Sequence, residues 1–143
     1  MAELDNLYQE IIVDHVKHPR RRGLREGASV ESHQLNPTCG DEVTLQLVLD
    51  GDTVTEAAWT GKGCMISQSS ASILAEQLPG LTAAEVEARI ASFRESMRSR
   101  GEIPVDEDLL GDAIALEGAA KYVARVKCAM LAWVAAEDAL AHR

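Results

Sequence analysis

The chain holds three cysteines, and the residues around them are the ones with chemistry to offer. Cys39 stands in Asn36-Pro37-Thr38-Cys39-Gly40-Asp41, Cys64 in Gly61-Lys62-Gly63-Cys64, and Cys128 in Arg125-Val126-Lys127-Cys128. Two of them adjoin glycine in expected turns, and a carboxylate, Asp41, follows the first by two positions. Three thiolates and one carboxylate suffice for a four-coordinate metal site. Taken singly, each cysteine has a plainer reading. A cysteine on a helix, as expected for Cys128, is more often a small core residue than a ligand. The close C-x-x-C pairs of common structural zinc modules are also missing. Spacing alone leaves a metal site and ordinary packing evenly matched.

The elements that must position these residues can be read from periodicity. Leu4, Leu7, Tyr8, Ile11, Ile12 and His15 recur at helical spacing, which predicts an amphipathic helix over about 4–17 that Pro19 ends. Residues 29–35 form a weak strand at a sheet edge. Val43, Leu45, Leu47 and Leu49 alternate with polar residues and mark the clearest strand. Asp50-Gly51 signals a hairpin, and Thr53 to Thr60 supplies the return strand, with a bulge expected between Val54 and Ala57. Cys64 opens a helix to about Gln77 whose many serines weaken its intrinsic propensity, so packing must hold it. Thr82 with Glu85 forms a capping box for a helix to about Arg98. An acidic connector, Asp106 to Asp112, then precedes a final helix over about 119–140. The expected fold is α+β: one domain, residues 1–143, with a small three-stranded antiparallel sheet packed against several helices.

Composition narrows the function. A chain of 143 residues with net charge −9 lacks the dense basic surface that binds nucleic acid. Its most apolar run, Ala129 to Ala136, is far too short to span a membrane. The start, Met1-Ala2-Glu3-Leu4-Asp5, lacks a secretory pattern, so a cytoplasmic location is expected. There, an odd number of separated cysteines reads as ligands or reactive thiols rather than disulfides. One basic cluster, Lys17, His18, Arg20, Arg21, Arg22 and Arg25, is either a solvated loop or a docking patch for an acidic partner. The histidines read as helix-completing or surface residues, and Met65 and Met130 as core filler.

A family resemblance extends over nearly the whole chain. Leu7-Tyr8-Gln9-Glu10-Ile11-Ile12, then Asp14-His15 and Lys17-His18-Pro19-Arg20, resembles the opening of SufU-type proteins of the wider NifU/IscU-like family. The run at 36–41 is similar to that family's first ligand motif, Gly63-Cys64-Met65-Ile66-Ser67 to its second, and Arg125-Val126-Lys127-Cys128-Ala129 to its third. The IscU-type branch has histidine before its last cysteine, where this chain has Lys127. That branch also lacks a segment like the helix from Thr82 and its acidic connector, so the resemblance is to the SufU branch. One departure is Tyr122-Val123, where SufU relatives carry an aromatic residue followed by proline.

The resemblance implies zinc held by Cys39, Asp41, Cys64 and Cys128, with an iron–sulfur cluster on the same cysteines as the alternative. It implies a zinc-dependent sulfurtransferase that accepts persulfide sulfur from a SufS-type pyridoxal-phosphate cysteine desulfurase and passes it to downstream cluster-assembly machinery. The alternative role is a scaffold on which a cluster is built. Zinc keeps its thiolates deprotonated at neutral pH. Cys39, in a glycine-flanked turn, is the ligand expected to leave the metal and act as nucleophile. Arg125, one turn before Cys128, is expected to offset the site's negative charge and to hold Asp41 when the ligands rearrange.

Overall fold

The computed structural model describes residues 2–38 and 40–143. In chain order they form α1 (Ala2–Lys17), β1 (Val30–Asn36), β2 (Asp41–Asp50), β3 (Thr53–Lys62), α2 (Met65–Gln77), α3 (Ala83–Arg98), α4 (Glu107–Leu110), a 3-10 segment (Gly111–Lys121) and α5 (Val123–Ala141). Among the described residues the strands pair antiparallel in the order β1-β2-β3, the expected α+β meander.

Alternation in β2 fixes which side meets the helices. Val43, Leu45 and Leu47 are buried, and so is Asp41, because it shares their parity at the start of the strand. At the far end the register steps from Val48 opposite Glu56 to Leu49 opposite Val54. Thr55 is the extra residue, inside the expected bulge, and its hydroxyl donates to the Val48 carbonyl at 3.1 Å. The outer edge of β3 is covered rather than left open. Trp59 exchanges backbone hydrogen bonds with Arg21 and Gly23, and Val54 with Gly80 and Leu81.

On the inner face lie α2 and α5. Helix α5 presents the alanines 129, 132, 135, 136 and 139, all essentially buried, so that backbones approach closely where aromatics are few. The large exception is Trp133, stacked on Phe93 of α3 with ring centroids 4.1 Å apart. Helix α2 is buried nearly all round, and its serines make that possible by spending their hydroxyls internally. Ser69 donates to the Ile66 carbonyl at 3.2 Å. Ser70 donates to the Ala129 carbonyl at 2.6 Å and accepts the Trp133 indole N–H at 2.8 Å, which ties α2 to α5. Ser72 lies 2.7 Å from Nδ1 of His15 and accepts the Arg20 backbone N–H at 2.8 Å. His15, fully buried, turns Nε2 to Asp112 at 2.9 Å and so joins α1, α2 and the 3-10 segment.

Two expectations are corrected. Helix α5 begins at Val123, not near 119. The stretch before it is not a plain connector: Asp106 caps α4 through the Leu109 N–H, Gly111 at φ 52° breaks α4, and a 3-10 segment follows. Burial of Ala113, Leu116, Ala119 and Ala120 holds that segment in place. Within the basic cluster, Arg20 and Arg22 have structural partners. Arg20 binds Asp14 at 2.6 Å and Glu76 at 3.1 Å, while Arg22 lies over the Trp59 ring at 5.5 Å and donates to the Gly61 carbonyl. The hydrogen bond from Arg20 holds the Asp14 carboxyl below its ordinary range. Val123 in turn explains the departure at 122–123. It stands at the first helical position, where the N–H makes no intrahelical bond and proline or valine serves equally.

Ser70→Ala is expected to destabilise the fold by about 1–3 kcal/mol in urea unfolding, because it leaves the Trp133 N–H and Ala129 carbonyl buried without a partner. Val123→Pro is expected to be neutral or to stabilise by about 0.4–1 kcal/mol, by restricting the unfolded chain. A loss of more than that in the same assay would show that the Val123 N–H is needed.

Candidate metal centre

Three predicted ligands converge from three elements. Asp41 Oδ, Cys64 Sγ and Cys128 Sγ all lie within 4.8 Å of one another, a spacing that one ion can close. The fourth, Cys39, lies outside the described residues.

Each element contributes for a local reason. Asp41 opens β2 opposite Asn36, the last residue of β1, and its parity sends the carboxylate inward to 1% exposure. The turn between them is anchored by Asn36, whose side chain accepts the Thr38 N–H at 3.2 Å and whose carbonyl accepts the Gly40 N–H at 2.8 Å. Gly40 sits at φ 74°, a left-handed value that glycine adopts without strain. Cys64 is the N-cap of α2, so its sulfur lies at the positive end of that helix. Cys128 lies in the second turn of α5 and is 7% exposed.

The Asp41 carboxylate is the hub. It accepts the Cys64 N–H at 2.9 Å on one oxygen, and the Cys64 thiol lies 3.5 Å from the other. Ser67 stands behind this pair, its hydroxyl 3.9 Å from Cys64 Sγ and donating to the Cys64 carbonyl at 3.1 Å. Gly63 makes the approach possible. A Cβ there would collide with the Asp41 carboxylate and come within 2.8 Å of Ser67 Oγ, and its φ of 147° already disfavours any side chain. The glycines at 61 and 63 are expected from the sequence to let the backbone approach closely at Cys64, and Gly63 does so against Asp41, whereas Ser67 was not separable from an ordinary helix start. The GKGC run signals the close approach, and the structure supplies its partner, the Asp41 carboxylate.

A buried carboxylate beside two thiols is costly unless paired, and a divalent cation is a partner that the donor set fits. Two soft sulfurs with one hard oxygen suit zinc, and sulfur ligation also suits iron–sulfur chemistry. The expected Arg125 lies on the exposed first turn of α5, its guanidinium 4.9 Å over the Tyr122 ring. Sequence reasoning passed over a second group. His15, Glu76 and Asp112 also bring ligating atoms together, but the imidazole is satisfied by Ser72 and Asp112, and Glu76 is held by Arg20.

Nearly the whole chain is matched by known relatives. The family model of the NifU-like N-terminal domain matches residues 7–140. The chain belongs to this family. It is 39% identical to a zinc-dependent sulfurtransferase SufU of Bacillus subtilis over 98% of its own length and 93% of the relative's. It is 37% identical to an iron–sulfur cluster assembly scaffold protein IscU of Streptococcus pyogenes, over 98% and 86% of the two chains. The crystal structure of a SUF-system scaffold protein from Fervidobacterium islandicum superposes with TM-score 0.84 at 36% identity, covering 92% of this chain and 94% of that one. The SufU-type resemblance and the expected fold are thereby borne out. Among the described residues no helix is long and apolar enough to cross a membrane.

Gly63→Ala is expected to weaken zinc binding about 10–100-fold, by displacing the carboxylate that the glycine admits, with unchanged far-UV circular dichroism. Competition with a chromophoric chelator measures it. Wild-type affinity in that variant would show that Asp41 need not hold its present position.

Proposed function

We propose that this protein is a sulfur carrier of iron–sulfur cluster assembly. It takes persulfide sulfur from a SufS-type pyridoxal-phosphate cysteine desulfurase and passes it onward, in the cytoplasm, with zinc held by Cys39, Asp41, Cys64 and Cys128. The observation that carries this reading is the convergence of Asp41, Cys64 and Cys128, on a chain closely similar to a protein named a zinc-dependent sulfurtransferase.

Bound zinc would keep the thiolates deprotonated near neutral pH. The chain's own residues do the rest. The Cys39 thiolate attacks the outer sulfur of the donor's persulfide. A new sulfur–sulfur bond forms at Cys39, the old one breaks, and the donor cysteine departs with the electron pair as a thiolate. The exchange is balanced and needs no external oxidant. Cys39 suits this part because it adjoins Gly40 in the chain, whereas Cys128 is fixed within a helix and Cys64 is tied to Asp41 through its own N–H. Asp41 keeps the site adaptable as a hard donor among soft ones. Arg125, exposed and one turn before Cys128, offsets the negative charge of the ligand set.

The second reading, a scaffold that builds a cluster on the same cysteines, is favoured by the relatives named as scaffold proteins. Lys127, in place of the histidine of IscU-type proteins, favours the carrier. Protein purified without oxygen is expected to contain about one zinc and negligible iron and sulfide. After incubation with desulfurase and cysteine, mass spectrometry should find one added sulfur on Cys39 and none in Cys39→Ser. Bound iron and sulfide in place of zinc, or sulfur retained in that variant, would replace this reading with the scaffold.

A further inference from the structure

Beside the ligand cluster runs an open groove of about 470 Å³. Leu35, Pro37 and Thr38 form one wall, and Val126, Met130 and Val134 of α5 form the other. Leu35 is 53% exposed, on the alternate set of β1 that the core does not use. A single exposed leucine is unremarkable. Here, however, it continues the half-buried valines of α5 into one apolar floor, which begins at the residue before Cys39.

The charge of the groove runs against that of the chain. The protein carries a net −9, yet the groove is lined by Arg94, Arg98 and Lys127 and by no carboxylate. Arg94 is already committed, binding Glu137 through two hydrogen bonds of 2.8 Å and fastening α3 to α5. Arg98 and Lys127 remain exposed and form no direct ion pair among the described residues; the hydrogen bond from Arg94 and, to a lesser degree, the charge of Arg98 hold the Glu137 carboxyl below its ordinary range. An apolar floor between two exposed cations selects a segment that is apolar at its centre and acidic at its flanks. It disfavours a second copy of this chain, whose surface charge is mostly carboxylate but whose own groove-bearing face would set cation against cation.

We propose that this groove seats an acidic-flanked apolar segment of the desulfurase, and that the contact brings the donor persulfide to the turn holding Cys39. The proposal rests on the sulfur-carrier reading. It also places docking on the end of β1 and on α5 rather than on the Arg20–Arg22 cluster, where Arg20 and Arg22 have structural partners.

The test uses the zinc-loaded full chain and a full-length SufS-type desulfurase. Arg98→Glu and Leu35→Asp alter exposed side chains, and retention of zinc verifies that the ligand cluster is intact. Calorimetric titration is expected to show about a tenfold or larger rise in Kd for each variant. For the wild type, affinity should fall as salt is raised. At saturating desulfurase, persulfide on Cys39 should reach the wild-type level in both variants, since the groove docks and does not react. Wild-type Kd in both variants would overturn the groove while leaving sulfur transfer standing. Wild-type protein that binds desulfurase through the groove yet gains no sulfur would overturn the carrier reading instead. Photo-crosslinking from position 35 identifies the segment, and capture of a basic one would also overturn the proposal.

Discussion

The structure depends on a carboxylate held on the wrong side of a strand. β2 alternates strictly, and its parity assigns Asp41 to the same face as Val43, Leu45 and Leu47. A carboxylate at 1% exposure cannot be solvated there, so its surroundings must supply what water would. The Cys64 N–H supplies part, with the Cys64 thiol close by, and Gly63 removes the side chain that would prevent the approach. The start of α2 is therefore placed by the start of β2. Helix α5 then brings Cys128 to the same point by packing its alanine face on the sheet.

The helices use a related economy of polar groups. α2 has almost no exposed face, which for a serine-rich sequence would be unfavourable if the hydroxyls were idle. Ser70 bridges to α5 and Ser72 to His15 and the exit of α1, so each hydroxyl acts as a short joint between elements. Small side chains let the helices come close, and the hydroxyls then fix how they are set against one another.

Much of this was legible in the sequence, for identifiable reasons. Period-two alternation located β2, and the slip near Thr55 located the bulge, because both are written in which residues face the core. The Thr82–Glu85 box located α3 because capping is local. The ligand motifs marked Asp41, Cys64 and Cys128, which the fold brings together. The segment at 107–121 was misread because a 3-10 segment of alanines has neither the helical period nor the strand period, and it is held by burial and by the remote His15–Asp112 contact. The arginines at 20 and 22 were ambiguous because their partners, Glu76 and Trp59, are remote in the chain. Gly63 was legible as a place of close backbone approach, but its partner Asp41 and the role of Ser67 were silent for the same reason.

The convergence of ligands from three separate stretches of chain has a thermodynamic meaning. A cation held by Asp41, Cys64 and Cys128 would join the first hairpin, the head of α2 and the head of α5, none of which the unfolded chain keeps together. Occupancy of such a site is linked to folding, because a ligand bound by the native state alone stabilises it in proportion to the logarithm of its free concentration. The molecule's conformational stability would then be set partly by the metal activity around it. The same centre would act as a gauge of supply, with the amount of folded protein as its readout.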